Sequence, residues 1–299
     1  MKLNQQDLQI LSKAAIHAAQ QAGQLISSYS QQKMAVKNKG VGDSLASQVV
    51  TEVDLMAQEM ILNSLAAVTK QYDLGTLGEE SPDNHERFEK DYFWCIDPMD
   101  GTLAFIKQRH GYAVSIGLVS QAGEPVIGVI YDPLTQTLYK AAKGQGAYRN
   151  GQKWQVSIPE EAPLHLISDT SFQDLPQFEQ SLQELEIISQ KMGYQGLQTR
   201  FQGGAALNAC WVLEQAPACY FKYAKKELGG GSLWDYAASA CIYQEAGAWV
   251  SDMHGNPLDL NRPDSTYLNH RGILYATSEK LAREIIALGE RMCQENGDQ

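Results

Sequence analysis

Trp94-Cys95-Ile96-Asp97-Pro98-Met99-Asp100-Gly101-Thr102, running on into Leu103-Ala104-Phe105-Ile106-Lys107, is the stretch on which the fold turns. Tyr92 to Ile96 is aromatic and apolar, which predicts a buried strand. Pro98 cannot donate to a ladder and holds Asp97 extended, so the strand is expected to stop there. Gly101-Thr102 then opens a short apolar segment that reads as a helix. Two carboxylates three positions apart therefore sit in a tight strand-to-helix connection. Buried that close together, they repel each other and take up protons unless cations compensate them. The helix start beside them offers N–H groups and a positive dipole end, which suit an anion. Metal cations and a phosphate sharing one pocket is the reading this suggests. The plainer alternative makes Asp97 a strand end and Asp100 a turn or N-cap residue.

Outward from this stretch, Leu8, Leu11, Ala15, Ala18, Ala22, Leu25 and Tyr29 recur at helical spacing and predict a long amphipathic helix from Gln5 to Tyr29. Lys33 to Ser47 reads as a strand end and a polar loop. Thr51, as N-cap, and Asp54 open a second helix expected to reach Ala67. Glu79 follows the short extended run Thr76-Leu77-Gly78, and Pro82 to Lys90 reads as a polar surface loop. Tyr112 to Ser120, Pro125 to Asp132 and Thr137 to Ala142 predict an antiparallel meander, and Asn150-Gly151 a hairpin.

Beyond a soft boundary at Val156 to Pro163 the pattern alternates. A strand is expected near Leu164 to Ile167, and further α and β segments at Cys219 to Tyr223, Trp249 to Ser251 and Ile273 to Thr277. Helices are expected at Leu175 to Met192, Leu233 to Gln244 and Glu279 to Met292, with a further segment at Leu207 to Leu213. The chain thus divides into an α+β part over 1–156, carrying most of the acidic candidates, and an α/β part over 157–299.

The net charge of −11 argues against a nucleic-acid polymer or an anionic membrane as partner. It leaves room for an anionic small substrate, because metal ions reverse the field locally. Cys95, Cys210, Cys219, Cys241 and Cys293 are scattered, odd in number and never in a C-x-x-C pair, as reduced thiols of a cytoplasmic protein would be. No basic start leads into an apolar run, and no apolar stretch is long enough to span a bilayer. The six histidines lack zinc-hydrolase spacing, no Gly-x-Ser-x-Gly elbow or Walker A motif occurs, and Gly144-Gln145-Gly146 reads as a tight turn.

Glu79, Asp97, Asp100 and Asp235, with Asp54 as a fifth, are hard oxygen donors at element ends. Without His or Cys companions such a set selects Mg²⁺ or Mn²⁺. Each has a plainer reading: Glu79 as half of a solvated pair with Glu80, Asp54 and Asp235 as complements to helix dipoles.

The chain is similar to the inositol monophosphatase superfamily of Mg²⁺-dependent, lithium-sensitive phosphatases. The resemblance is carried by Val50-Thr51-Glu52-Val53-Asp54, Gly78-Glu79-Glu80-Ser81, Asp97-Pro98-Met99-Asp100-Gly101-Thr102 with Phe105, Gly144-Gln145-Gly146-Ala147-Tyr148-Arg149-Asn150-Gly151, Gly203-Gly204-Ala205-Ala206-Leu207 and Trp234-Asp235-Tyr236-Ala237-Ala238, in the family's order. It implies a layered αβαβα sandwich, hydrolysis of a phosphomonoester by metal-activated water, two or three Mg²⁺ ions and a homodimer. Glu79, Asp97 and the Met99 carbonyl would hold the first metal. Asp97, Asp100 and Asp235 would hold the second, and a third would use Glu79 through water. Gly101 and Thr102 would receive the phosphate on their backbone N–H groups. Asp54 would bond the Thr102 hydroxyl, and Thr102 with Glu79 would position and deprotonate the attacking water.

Two branches of the family are open for the substrate. Lys222, in Tyr220-Phe221-Lys222-Tyr223 ahead of the loop to Trp234, stands where inositol monophosphatases carry a Glu. A cation there suits a second phosphate. The resemblance thus favours a 3′(2′),5′-bisphosphate nucleotide, such as 3′-phosphoadenosine 5′-phosphate, over inositol 1-phosphate. Lys222, Lys225 and Lys226 as a merely solvated loop is the plainer alternative. A catalytically silent metal- and phosphate-binding homologue is the alternative to an enzyme, though such a protein has no chemical need for the whole acidic set.

Overall fold

The computed structural model describes residues 2–29, 36–38 and 49–297, with the backbone alone at 36–38, 49–51 and 293–297. Helix α1 (Gln5–Tyr29) buries the expected stripe of Leu8, Leu11, Ala15, Ala18, Ala22 and Ile26. Strands β1 (Val36–Asn38) and β2 (Val49–Thr51) pair antiparallel, and α2 (Glu52–Gln71) packs along α1. Apart from β1, the loop expected at Lys33 to Ser47 lies outside the described residues, as does the Thr51 side chain. Helix α2 continues past Ala67 because Val68-Thr69-Lys70 contains no breaker, and Trp94 Nε1 donates to Thr69 Oγ1 at 3.0 Å.

Strand β3 (Gly75–Gly78) pairs in parallel with β4 (Tyr92–Asp100). The expectation that β4 ends at Asp97 is corrected: the ladder with β5 (Ala113–Ser120) runs through Asp97 opposite Ser115 and resumes at Asp100 opposite Ala113. Three steps on β4 match two on β5, so Pro98-Met99 carries a bulge that absorbs the proline's missing donor. In a regular strand, residues three apart face opposite sides. The extra residue cancels that alternation and lets both carboxylates reach one pocket. Helix α3 (Thr102–Ile106) starts directly after it, with Gly101 as N-cap.

The meander continues as β6 (Pro125–Asp132), β7 (Thr137–Ala142), β8 (Gly146–Arg149) and β9 (Gln152–Trp154), giving a seven-stranded sheet in the order β3-β4-β5-β6-β7-β8-β9. Arg149 faces Gln152 across the expected Asn150-Gly151 hairpin. The Pro82 to Lys90 segment is not merely solvated. Arg87, 2% exposed, bonds Asp83, the Asn261 side chain and the Arg262 carbonyl, tying this loop to the C-terminal part of the chain.

The second sheet has the order β11-β10-β12-β14-β13. Its strands are β10 (Leu164–Ser168), β11 (Leu197–Phe201), β12 (Ala218–Lys222), β13 (Trp249–Ser251) and β14 (Ile273–Ala276). The sequence gives no warning of β11, a polar edge strand without an apolar run. Helix α4 (Phe178–Met192) starts later than Leu175 because Pro176 keeps Leu175 extended. A 3₁₀ turn, Thr170–Asp174, fills the gap, N-capped by Asp169. Helices α5 (Ala205–Glu214), α6 (Leu233–Ala246) and α7 (Glu279–Gly297) complete the chain.

Helices α1 and α2 cover one face of the seven-stranded sheet, α5 and α6 fill the space between the sheets, and α4 and α7 lie on the outer face of the second sheet. This is the layered αβαβα sandwich. Helix α6 sits unusually close to β6, where a Cβ on Gly128 would stand 2.1 Å from the Ala238 carbonyl oxygen. That approach carries the first turn of α6, and Asp235 with it, to the end of β4. At the other end of α6, Glu245 accepts from the N–H groups of Gly144 and Gly146 at 2.8 and 2.7 Å, which fixes the expected tight turn. Cys95, Cys210, Cys219 and Cys241 are buried free thiols, and the Cys293 side chain lies outside the described residues. Among the described residues no helix is long and apolar enough to cross a membrane.

Candidate active site

Asp97, Asp100 and Asp235 each offer a carboxylate oxygen to one spot, the three atoms lying within 4.8 Å of one another. The bulge in β4 supplies the first two and the start of α6 the third. Asp97 and Asp100 are 1% and 6% exposed, while Asp235 is half-buried. Each is held in place by backbone N–H groups. Asp97 Oδ1 accepts from Met99 N at 2.9 Å, and Asp235 Oδ2 accepts from Ser232 N at 2.5 Å. Asp100 accepts from Ala205 N at 3.1 Å and Ala206 N at 2.7 Å, the first turn of α5. Gly204 makes this possible, since a Cβ there would stand 2.3 Å from both Asp100 carboxylate oxygens.

Burial, then the charge of Glu79, pushes Asp97 well above the usual carboxylate range. Burial, then Asp235, does the same to Asp100, against the pull of the two α5 N–H groups. Asp235 is raised to about 6 by burial and by Glu79. Glu79 is half-buried just past β3, with its N–H on the Ile96 carbonyl at 3.1 Å. Its charge reaches all three aspartates, although its carboxylate is outside the 4.8 Å group. A set of anions that the protein itself makes costly is what a divalent cation relieves, and hard oxygen donors alone suit Mg²⁺ or Mn²⁺.

The sign of the pH effect follows. Without a cation the folded state keeps protons that unfolded aspartates, titrating near about 3.9, have released. Stability of the metal-free protein therefore falls as pH rises from about 3.9 to the raised folded value, about 6 for Asp235, and levels off for that group above it. Mg²⁺ competes with those protons, so it is expected to raise Tm clearly at about pH 7.5 and little at about pH 5. Scanning calorimetry with and without Mg²⁺ checks this; equal shifts at both pH values would contradict it.

Gly101 and Thr102 stand at the start of α3, where the first-turn N–H groups have no intrahelical acceptor. The buried Thr102 hydroxyl donates to the Met99 carbonyl oxygen at 3.2 Å. Asp54 is buried in the first turn of α2, and β2 just before it packs against α3. One turn further along α2, Gln58 accepts from Glu80 N at 2.9 Å and donates to Ser81 Oγ at 2.7 Å. Gln58 thereby clamps the Glu79 loop, a role the sequence hints at only through its i+4 spacing from Asp54.

Lys222 ends β12 and is not a solvated loop residue. Its Nζ lies 2.8 Å from Asp169 Oδ2, both side chains being about a fifth exposed (22% and 23%). Burial opposes the ammonium charge, but Asp169 outweighs it and the Lys222 pKa is raised. The Lys222 charge in turn opposes the rise in the Asp235 pKa without cancelling it. Asp169 was not anticipated. Its sequence signal is only that of a capping residue, and its partner comes from a neighbouring strand.

Comparison with known proteins agrees with this geometry. At 31% identity over 222 residues, 74% of this chain and 82% of its relative, it resembles the 3′(2′),5′-bisphosphate nucleotidase CysQ of Escherichia coli (strain K12). Inositol monophosphatase 3 of Solanum lycopersicum is 32% identical over 251 residues, covering 82% of this chain and 87% of that protein. The crystal structure of the extragenic suppressor protein suhB from Bartonella henselae superposes with a TM-score of 0.71 at 25% identity, covering 93% and 97% of the two chains. The sequence profile of the inositol monophosphatase family matches residues 7–292, so the chain belongs to the inositol monophosphatase family.

Proposed function

We propose that the chain is a Mg²⁺-dependent phosphomonoesterase acting on a small phosphorylated metabolite, with a 3′(2′),5′-bisphosphate nucleotide as preferred substrate. The observation that carries the activity is the convergence of Asp97, Asp100 and Asp235, three backbone-anchored and mutually destabilised carboxylates, beside the start of α3. Those three, with Glu79 and the Met99 carbonyl oxygen, would hold the cations. Bound Mg²⁺ supplies Lewis-acid charge and lowers the pKa of a coordinated water.

The chain's own groups do the rest. The N–H groups of Gly101 and Thr102 receive the phosphate oxygens, and the bulge keeps Asp97 and Asp100 on the side from which they are needed. Glu79 is the nearby carboxylate outside the close group and is the base that takes the proton from the attacking water. Thr102, whose hydroxyl donates to the Met99 carbonyl oxygen in this structure, would turn that proton to Asp54 to orient the same water. In-line phosphoryl transfer asks mainly for positioning and charge, so no phosphoenzyme is required.

Lys222 supports the bisphosphate preference, being a cation whose charge reaches Asp235. One observation favours a second reading, inositol 1-phosphate: Asp169 already holds the Lys222 charge. Phosphate release with Mg²⁺ from 3′-phosphoadenosine 5′-phosphate and inositol 1-phosphate, for wild type and Lys222→Glu, separates the two. The bisphosphate preference predicts a loss of about tenfold or more in kcat/KM confined to the nucleotide. Faster release from inositol phosphate, unaffected by the substitution, selects the second reading.

A further inference from the structure

The C-terminal ends of β10 and β12 enclose a cavity of about 130 Å³, and Gly230 in its lining accepts at its carbonyl from the hydroxyl of Tyr236, the residue after Asp235. Its volume is close to that of a cavity that takes one small ring, about 150 Å³ for benzene. Phe172 and Tyr223 contribute aromatic walls, and Lys222 and Asp169 line it together. Ser168 and Asn269 also line it, at 0% and 6% exposure. Among the described residues neither Ser168 Oγ nor Asn269 Oδ1 has a hydrogen-bond partner. Buried polar atoms are rarely left so, and their vacancies define what belongs there. Asn269 Oδ1 requires a donor, because the amide nitrogen of the same side chain is spent on the carbonyls of Lys225, Lys226 and Glu227. A phosphate dianion has only acceptors to offer.

We propose that Asp169 is a specificity-determining residue of this site. By holding Lys222 it leaves the pair electrically neutral, so the pocket takes an uncharged ring bearing hydrogen-bond donors and acceptors, and a second phosphate engages Lys222 only by displacing Asp169. The inference rests on the reading that the aspartate group holds the reacting phosphate. Displacement is costly without being prohibitive. Asp169 Oδ1 keeps the Ser171 N–H at 2.9 Å and the Ser171 hydroxyl when Lys222 leaves. The phosphate, however, must outbid a carboxylate already in contact with the ammonium, whereas an uncharged ring adds its hydrogen bonds without breaking the pair. The advantage of a second phosphate is thereby capped.

The test is calorimetric binding of adenosine 3′-monophosphate, adenosine 3′,5′-bisphosphate and inositol 1-phosphate, with Ca²⁺ in place of Mg²⁺ to suppress turnover. Wild type is compared with Asp169→Asn, with Asp169→Ser, which keeps an N-cap acceptor, and with Asp169→Asn/Lys222→Gln. Both single variants are expected to tighten the bisphosphate by about tenfold while moving the monophosphates by less than about threefold. The double variant should lose that gain. Tighter binding of the adenosine or of the inositol monophosphate identifies the ring as heteroaromatic or as a cyclitol, and either agrees with the proposal. An unchanged or reduced ratio of bisphosphate to monophosphate affinity in both single variants overturns it. Phosphate release is measured separately: ligands that bind but are never hydrolysed overturn the phosphomonoesterase reading and leave the affinity ratio to judge Asp169.

Discussion

Asp97→Asn is expected to lower turnover by about 10³-fold, about 4 kcal/mol in the barrier, and to weaken Mg²⁺ binding, without weakening the metal-free fold. The amide keeps the size of the acid and retains an oxygen for the Met99 N–H. What it removes is an anionic donor at the centre of the close carboxylate group. Because burial and Glu79 already push Asp97 toward its protonated form, the neutral amide resembles the state that the metal-free protein prefers. Tm without metal should therefore equal or exceed that of wild type at neutral pH, while the gain in Tm on adding Mg²⁺ shrinks. A structural carboxylate would behave in the opposite way, losing stability with little change in rate. Paired measurements of kcat and of Tm with and without Mg²⁺ distinguish the two.

Gly204→Ala should be nearly as damaging, although glycine touches no substrate. Its new methyl would stand 2.3 Å from both Asp100 oxygens, which are also tied to Ala205 N and Ala206 N, so neither side can yield freely. Overpacking of this kind costs about 1–3 kcal/mol. Displacing Asp100 by a fraction of an ångström from its partners is expected to lower kcat by about 10²-fold. If the effect passes through Asp100, adding Gly204→Ala to an Asp100→Ala background should cost little further activity. Full additivity of the two losses would instead place Gly204 in a separate role.

The acidic set was readable because carboxylates at a strand-to-helix connection have few structural uses as a group. Asp97, Asp100 and Asp235 do meet, and Glu79 lies close by. The element boundaries were less legible. That β4 outlasts Pro98 depends on Ala113 lying across the ladder to receive Asp100, which no local rule around Pro98 contains. Asp235 reaches the site because Gly128 lets α6 approach the sheet, and in the sequence that residue is only a glycine inside a strand. Lys222 was visible as a cation at a strand end, whereas Asp169 was not. The pair is made by neighbouring parallel strands, and one-dimensional pattern carries no information on which side chains such strands bring together. The Asp100 bonds to α5 belong to the same class of long-range contact.

The most direct test of the central reading is phosphate release from 3′-phosphoadenosine 5′-phosphate and inositol 1-phosphate by protein stripped of metal with a chelator and then titrated with Mg²⁺. The account predicts negligible release from the stripped protein, recovery that rises with Mg²⁺, and no recovery in Asp97→Asn at the Mg²⁺ concentration that saturates wild type. Release that persists in the stripped protein, or that survives Asp97→Asn undiminished, would contradict it.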